Sequence, residues 1–178
     1  MKAMALWLKI ALLIVAILVA AVGAVFAIGS ALPRDHVATR RVLLKTPAAV
    51  VWTRIADEAA APSWRSNLKA VSRLADRNGH EVWREEDQSG DALVFETIEA
   101  REPGLLVREI ADPSMFGGQW RIDVTASDGG TLVAITEHGW VQPAVFRFMA
   151  RFVFGYTGTM DAYLRDLAAS FGESAAVE

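Results

Sequence analysis

Residues 117–139 read GGQWRIDVTASDGGTLVAITEHG. Trp120, Ile122 and Val124 share one phase of an alternating pattern, and Val133, Ile135 and Glu137 share another. A period of two marks a strand with one buried face. Between the two runs stands Asp128-Gly129, a pair that supplies the positive φ angles of a tight hairpin. The stretch therefore reads as two antiparallel strands, starting near Gln119 and Thr131.

The same punctuation extends upstream. Asn78-Gly79, Ser89-Gly90, Pro103-Gly104 and Gly117-Gly118 precede Asp128-Gly129 at intervals of 11 to 14 residues. The runs between them begin near Leu68, His80, Ala92 and Leu105, which makes a meander of six antiparallel strands. Before the meander, His36 to Lys45 reads as a further strand. Thr46 suits an N-cap and Pro47 a first helical position, opening a short helix over Ala48 to Ala56. Ala59 to Ser66 reads as a second helical piece, interrupted by Pro62. After the meander, Pro143 to Phe171 reads as one long helix closed by Gly172. Phe148, Phe152, Tyr156, Tyr163 and Leu167 fall near one stripe of it, with Gly155 and Gly158 as interruptions. The order is β-α-α-β6-α, an α+β fold in which the helix covers the apolar face of a curved seven-stranded antiparallel sheet. A hollow can remain between sheet and helix.

Ile10 to Pro33 contains no charged side chain. Roughly 20 apolar residues cross a ~30 Å hydrocarbon core, so this run is long enough for a single transmembrane span. Lys2, Trp7 and Lys9 flank its start, as at a membrane boundary. A cleaved signal would have a shorter apolar region, although Gly29-Ser30-Ala31 offers a small-residue cut site. A buried soluble helix fits poorly, because the run has no polar face. The expected division is residues 1–33 as the anchor and 34–178 as the domain. Orientation is weakly determined: Lys2 and Lys9 oppose Arg34, Arg40, Arg41 and Lys45, with a slight lean to a domain on the non-cytoplasmic side.

Beyond residue 33 the chain carries 16 basic and 21 acidic residues, with no dense basic patch, which argues against nucleic-acid binding. It has no cysteine, so disulfides and thiol chemistry are excluded. The three histidines have no metal-ligand spacing, and neither a nucleophile elbow nor a phosphate loop occurs. Gly117-Gly118 reads as a hairpin bend. No catalytic residue, metal site or cofactor is assigned.

Several motifs together resemble the START/Bet v 1-like helix-grip superfamily, also called SRPBCC or polyketide cyclase/dehydratase-like. Thr46-Pro47-Ala48-Ala49-Val50-Val51-Trp52, then Pro62-Ser63-Trp64, is similar to the entry of that fold. Gly117-Gly118-Gln119-Trp120 and Gly129-Gly130-Thr131 are similar to its later hairpins. Thr136-Glu137-His138-Gly139 with Phe146-Arg147-Phe148 is similar to the approach to its last helix. The resemblance covers Arg34 to about Gly172. It implies a helix-grip fold and a ligand cavity. The superfamily spans lipid and sterol carriers, hormone receptors and aromatase/cyclases, so fold alone does not settle function.

Trp120 with Ile122, Phe95 with Leu93, and Phe148, Phe152 and Tyr156 on the helix are expected to face the space between sheet and helix. There they act as core, as cavity lining, or as both. Glu137 is expected either at the pocket or at the rim, with His138 on the opposite face. His36 and His80 are expected in solvent. Arg84, Glu96, Arg108, Arg121 and Asp123 are expected mostly on the solvated convex face. The expected activity is membrane-anchored binding of a small hydrophobic or lipid-like ligand. The alternatives are a cyclase/dehydratase-type enzyme, for which Glu137, Glu96 and Arg108 are the first acid/base candidates, and a protein-contact scaffold with a filled core.

Overall fold

The computed structural model describes residues 2–174 and 176–178. In chain order the elements are helix α1 (Lys2–Ala31), strand β1 (Asp35–Leu44), helix α2 (Ala48–Ala56), a 3₁₀ segment (Glu58–Ser63), and strands β2 (Leu68–Arg73), β3 (Val82–Asp87), β4 (Ala92–Arg101), β5 (Leu105–Ile110), β6 (Phe116–Ser127) and β7 (Gly130–Val141). Helix α3 (Ala144–Met149), a π-helical turn (Ala150–Phe154) and helix α4 (Gly158–Ser170) follow.

The seven strands form one curved antiparallel sheet in the order β1-β7-β6-β5-β4-β3-β2. The meander expected from the turn dipeptides is present, and β1 returns to lie beside β7. The free edge of β1 is covered by the C-terminal tail: Arg41 and Glu178 exchange backbone hydrogen bonds at 2.9 Å. Covering that edge removes a template for pairing with another chain. At the β6–β7 hairpin Gly130 has φ +135°, and a Cβ there would lie 1.9 Å from the Leu44 carbonyl oxygen. Only glycine fits that position.

The chain divides into two compact units. The larger comprises Asp35–Trp140 and Tyr156–Glu178. Its core joins Val42 and Leu44 of β1, Val51, Trp52 and Ile55 of α2, Ile122 and Val124 of β6, Val133 and Ile135 of β7, and Met160, Leu164 and Leu167 of α4. Alternation on the strands and the i, i+4, i+7 spacing on α4 put these side chains on facing surfaces. The smaller unit comprises α1 through Arg34 together with Val141–Gly155. Within it, α3 packs on the last turn of α1. A Cβ on Gly29 would lie 2.0 Å from the Ala144 carbonyl oxygen, and Arg147 Nε donates to the Gly29 carbonyl at 2.8 Å.

Two local expectations are corrected. The final helix does not run unbroken from Pro143 to Phe171. It turns off after Phe154 through Gly155, whose φ of +75° ends a right-handed helix, and α4 restarts at Gly158. Thr46 does not cap α2, whose N-cap is Pro47 with no side-chain bond. The Thr46 hydroxyl instead donates to Glu173 at 2.6 Å, and the backbone N–H groups of Lys45 and Thr46 donate to the same carboxylate. Those donors hold the Glu173 carboxyl below its usual range.

Candidate functional site

The concave face carries two polar clusters. The first lies on β1, β6 and β7. Glu137 continues the inward phase of Val133 and Ile135, and His36 continues that of Ala38, Val42 and Leu44 on β1. The Glu137 carboxylate accepts from Trp120 Nε1 at 2.6 Å on one oxygen and pairs with His36 Nε2 at 2.9 Å through the other. The His36 ring stacks on Tyr156 with centroids 4.1 Å apart. Trp120 also meets the buried Tyr163 of α4 edge-on at 5.8 Å. The His36 and Glu137 side chains keep 13% and 19% of their exposure, so the pair is sheltered but still reachable from solvent. His138 points the other way and is exposed.

His36 is thus not in solvent as expected. It is a neighbour of Glu137 across the β1–β7 pair, where Ala38 is the register partner of Glu137. The alternation His36, Ala38, Arg40, Val42, Leu44 was the available signal. His80 is partly exposed and pairs with Glu96 at 2.7 Å.

The second cluster is a buried charge network that the sequence reading missed. Arg108 of β5 does not lie on the convex face. Its Nη1 donates to Glu85 at 2.8 Å and pairs with Glu58 at 3.1 Å, and Arg65 Nη1 pairs with Glu85 at 3.0 Å. All four side chains are buried. The Arg108 guanidinium lies 4.9 Å over the Phe95 ring, and that of Arg65 lies 5.2 Å over Tyr163. Phe95 therefore faces a cation. Arg108 Nε and Nη2, Arg65 Nε and Trp64 Nε1 are buried without a protein hydrogen-bond partner among the described residues.

The two carboxyls of this network titrate in opposite directions. For Glu58, burial is the dominant influence and raises the pKa, offset only in part by Arg108. For Glu85, burial also raises the pKa, but the charges and hydrogen bonds of Arg108 and Arg65 together outweigh it, so the net shift is downward. Burial likewise pushes the Tyr163 phenol upward, so that group stays neutral.

Of the other residues expected at the site, Ile122 is buried in the core and Leu93 is 38% exposed on β4. Phe148 and Phe152 touch each other at 5.0 Å in the α1 unit. A surface depression of about 620 Å³ lies along α2, lined by Val50, Thr53, Arg54, Asp57 and Phe171 among others. No group of three or more His, Asp or Glu side chains placed to hold a metal occurs among the described residues.

The fold has counterparts among known structures. The di-domain ARO/CYC StfQ from the steffimycin biosynthetic pathway matches with a TM-score of 0.61 at 11% identity, covering 76% of this chain and 50% of that one. This chain thus spans half the length of that di-domain protein. A START superfamily protein from Mycobacterium smegmatis matches with a TM-score of 0.57 at 15% identity, covering 78% and 97% of the two chains. Norcoclaurine synthase from Thalictrum flavum matches with a TM-score of 0.60 at 11% identity, covering 79% and 88%. At these identities the likeness concerns the fold. No curated protein matches by sequence. The family described as polyketide cyclase / dehydrase and lipid transport matches residues 35–172, which is nearly the whole chain beyond α1. The chain belongs to that family, and its sheet and helices are those of the START/Bet v 1-like helix-grip superfamily.

Proposed function

We propose that this protein is a membrane-anchored binding protein for a small amphipathic ligand, with Glu137 receiving the ligand's polar group. The observation that carries this reading is the reachable Glu137 carboxylate, fixed by Trp120 and His36 on an otherwise apolar inward phase. Pockets for apolar ligands use a few placed polar groups to orient them. Each carboxylate oxygen engaged by one neighbour keeps a further lone pair, which suits a ligand hydroxyl as donor. Tyr156 supplies partly exposed aromatic surface in the same unit. The anchor reading rests on Leu6–Ala31, a 26-residue span whose most apolar 18-residue stretch is not buried in the protein. The Arg147 bond to Gly29 favours a retained α1, because cleavage would remove the acceptor.

The test is native mass spectrometry of the full-length protein extracted in detergent. One copurifying amphipathic molecule per chain is expected. Recovery of protein only, with no bound small molecule after extraction in several mild detergents, would count against the reading.

One observation favours an enzyme of the cyclase/dehydrase kind instead. The hydrogen-bonded His36–Glu137 pair is an acid/base couple beside a stacked tyrosine. The same experiment separates the two readings. A binder holds the same compound in wild type and in His36→Gln. A dehydratase accumulates in the variant a compound heavier by one water.

A further inference from the structure

We infer that the segment Ala144–Phe154 is a second membrane contact, lying in the headgroup region of the bilayer that α1 crosses; this rests on the anchor reading. The segment reads AVFRFMARFVF, with four phenylalanines, two arginines and no acidic residue. Val145, Phe146, Phe152, Val153 and Phe154 are 42–72% exposed. In water so much contiguous apolar surface is costly, and such patches mark contact sites. The occupant is argued from what the segment is joined to. It belongs to the same compact unit as α1 and packs against its final turn at Gly29 and Ala144.

Depth follows from length. A 26-residue span at 1.5 Å per residue reaches about 39 Å, more than the ~30 Å hydrocarbon core. The last turn of α1 therefore emerges at headgroup level. The four C-terminal carbonyls of a helix lack internal partners and must find donors elsewhere. Arg147 satisfies one of them at Gly29 and reaches the Gln142 carbonyl with Nη1. Arg151 is exposed beside Phe152, its guanidinium 6.0 Å from the ring centroid. Aromatic rings at the acyl boundary with arginines toward phosphates are the composition of an interfacial helix. The partner is thus an anionic lipid surface.

The protein has no cysteine, so single cysteines can carry nitroxide labels in the full-length chain. Ile17→Cys, Val153→Cys and Lys69→Cys are suitable because all three native positions are exposed. Any difference in collision with oxygen over a water-soluble nickel complex then reports the bilayer. In phosphatidylcholine/phosphatidylserine vesicles, Ile17 is expected deep and Lys69 aqueous. Val153 is expected between them, with an oxygen-to-nickel ratio several-fold above that of Lys69. A Val153 ratio equal to that of Lys69 while Ile17 is deep overturns this inference and leaves the anchor intact. An aqueous Ile17 overturns the anchor reading and this inference with it. Dipolar broadening at Val153 that persists on dilution with unlabelled lipid shows a second copy on the patch and also overturns the inference.

Discussion

Replacing Arg108 with leucine should destabilise the protein by about 3–5 kcal/mol, the usual cost of removing one partner from a buried ion pair. For a chain of this size that lowers the melting temperature by roughly 6–20 °C. Arg108 contacts both Glu85 and Glu58, and Arg65 alone cannot compensate two buried carboxylates. The cost arises from the charge left behind, so adding Glu58→Gln, which leaves Arg65 paired with Glu85, should recover much of the loss. A single-variant loss below about 1 kcal/mol, in the range of surface changes, would show that the network is hydrated and contributes little. The opposed shifts of the two carboxyls add a pH signature. Glu58 is raised, so its contribution is complete below the ordinary carboxylate range and is lost as pH rises through its folded value. Glu85 is lowered, so its contribution is complete above that range and is lost as pH falls through its folded value. The stability gap between wild type and Glu85→Gln should therefore shrink on acidification. Against Glu58→Gln, wild type should lose ground as the pH rises above about 4.3.

Trp120→Ala should cost about 3 kcal/mol, the low end for large aromatic truncations, because the ring is only partly buried. Two contacts disappear at once: the edge-on packing against Tyr163 and the N–H that anchors Glu137. Trp120→Phe separates them. It keeps most of the ring and removes the donor, so about 1.5 kcal/mol of that loss should remain. Urea unfolding of both variants in the same detergent gives the comparison. If Trp120→Phe matches wild type in stability, the indole N–H does not hold Glu137 in place.

The architecture was legible because its signals are local. Turn dipeptides at 11 to 14 residues set the strand count, and alternation around Trp120 and Ile135 set the buried phase. Glu137 could be given a face for the same reason. What stayed hidden depends on contacts distant in sequence or on charge misleading the phase. Arg108 is two residues after Leu106 on one strand face, but a charged side chain reads as exposed until its partners are known. Those partners sit 23 residues away on β3 and, farther still, at Glu58 in the 3₁₀ segment, where no periodicity exists to read. A histidine directly after an apolar span reads as solvated, although His36 alternates in phase with Val42 and Leu44. The Phe148 and Phe152 stripe has the same period whether the helix runs on to Phe171 or stops at Phe154. Only the positive φ at Gly155 distinguishes the two.

The central claim, that Glu137 receives the polar group of an amphipathic ligand, is tested most directly by titrating the full-length protein with an environment-sensitive lipid probe bearing a hydroxyl group. Wild type and Glu137→Gln are compared in one detergent at fixed micelle concentration. The account predicts saturation near one probe per chain in wild type. In the variant it predicts affinity at least about tenfold weaker with the fold intact, as for a lost hydrogen bond to a charged group. Equal affinity in the two proteins, or uptake that tracks micelle concentration without saturating, would contradict it.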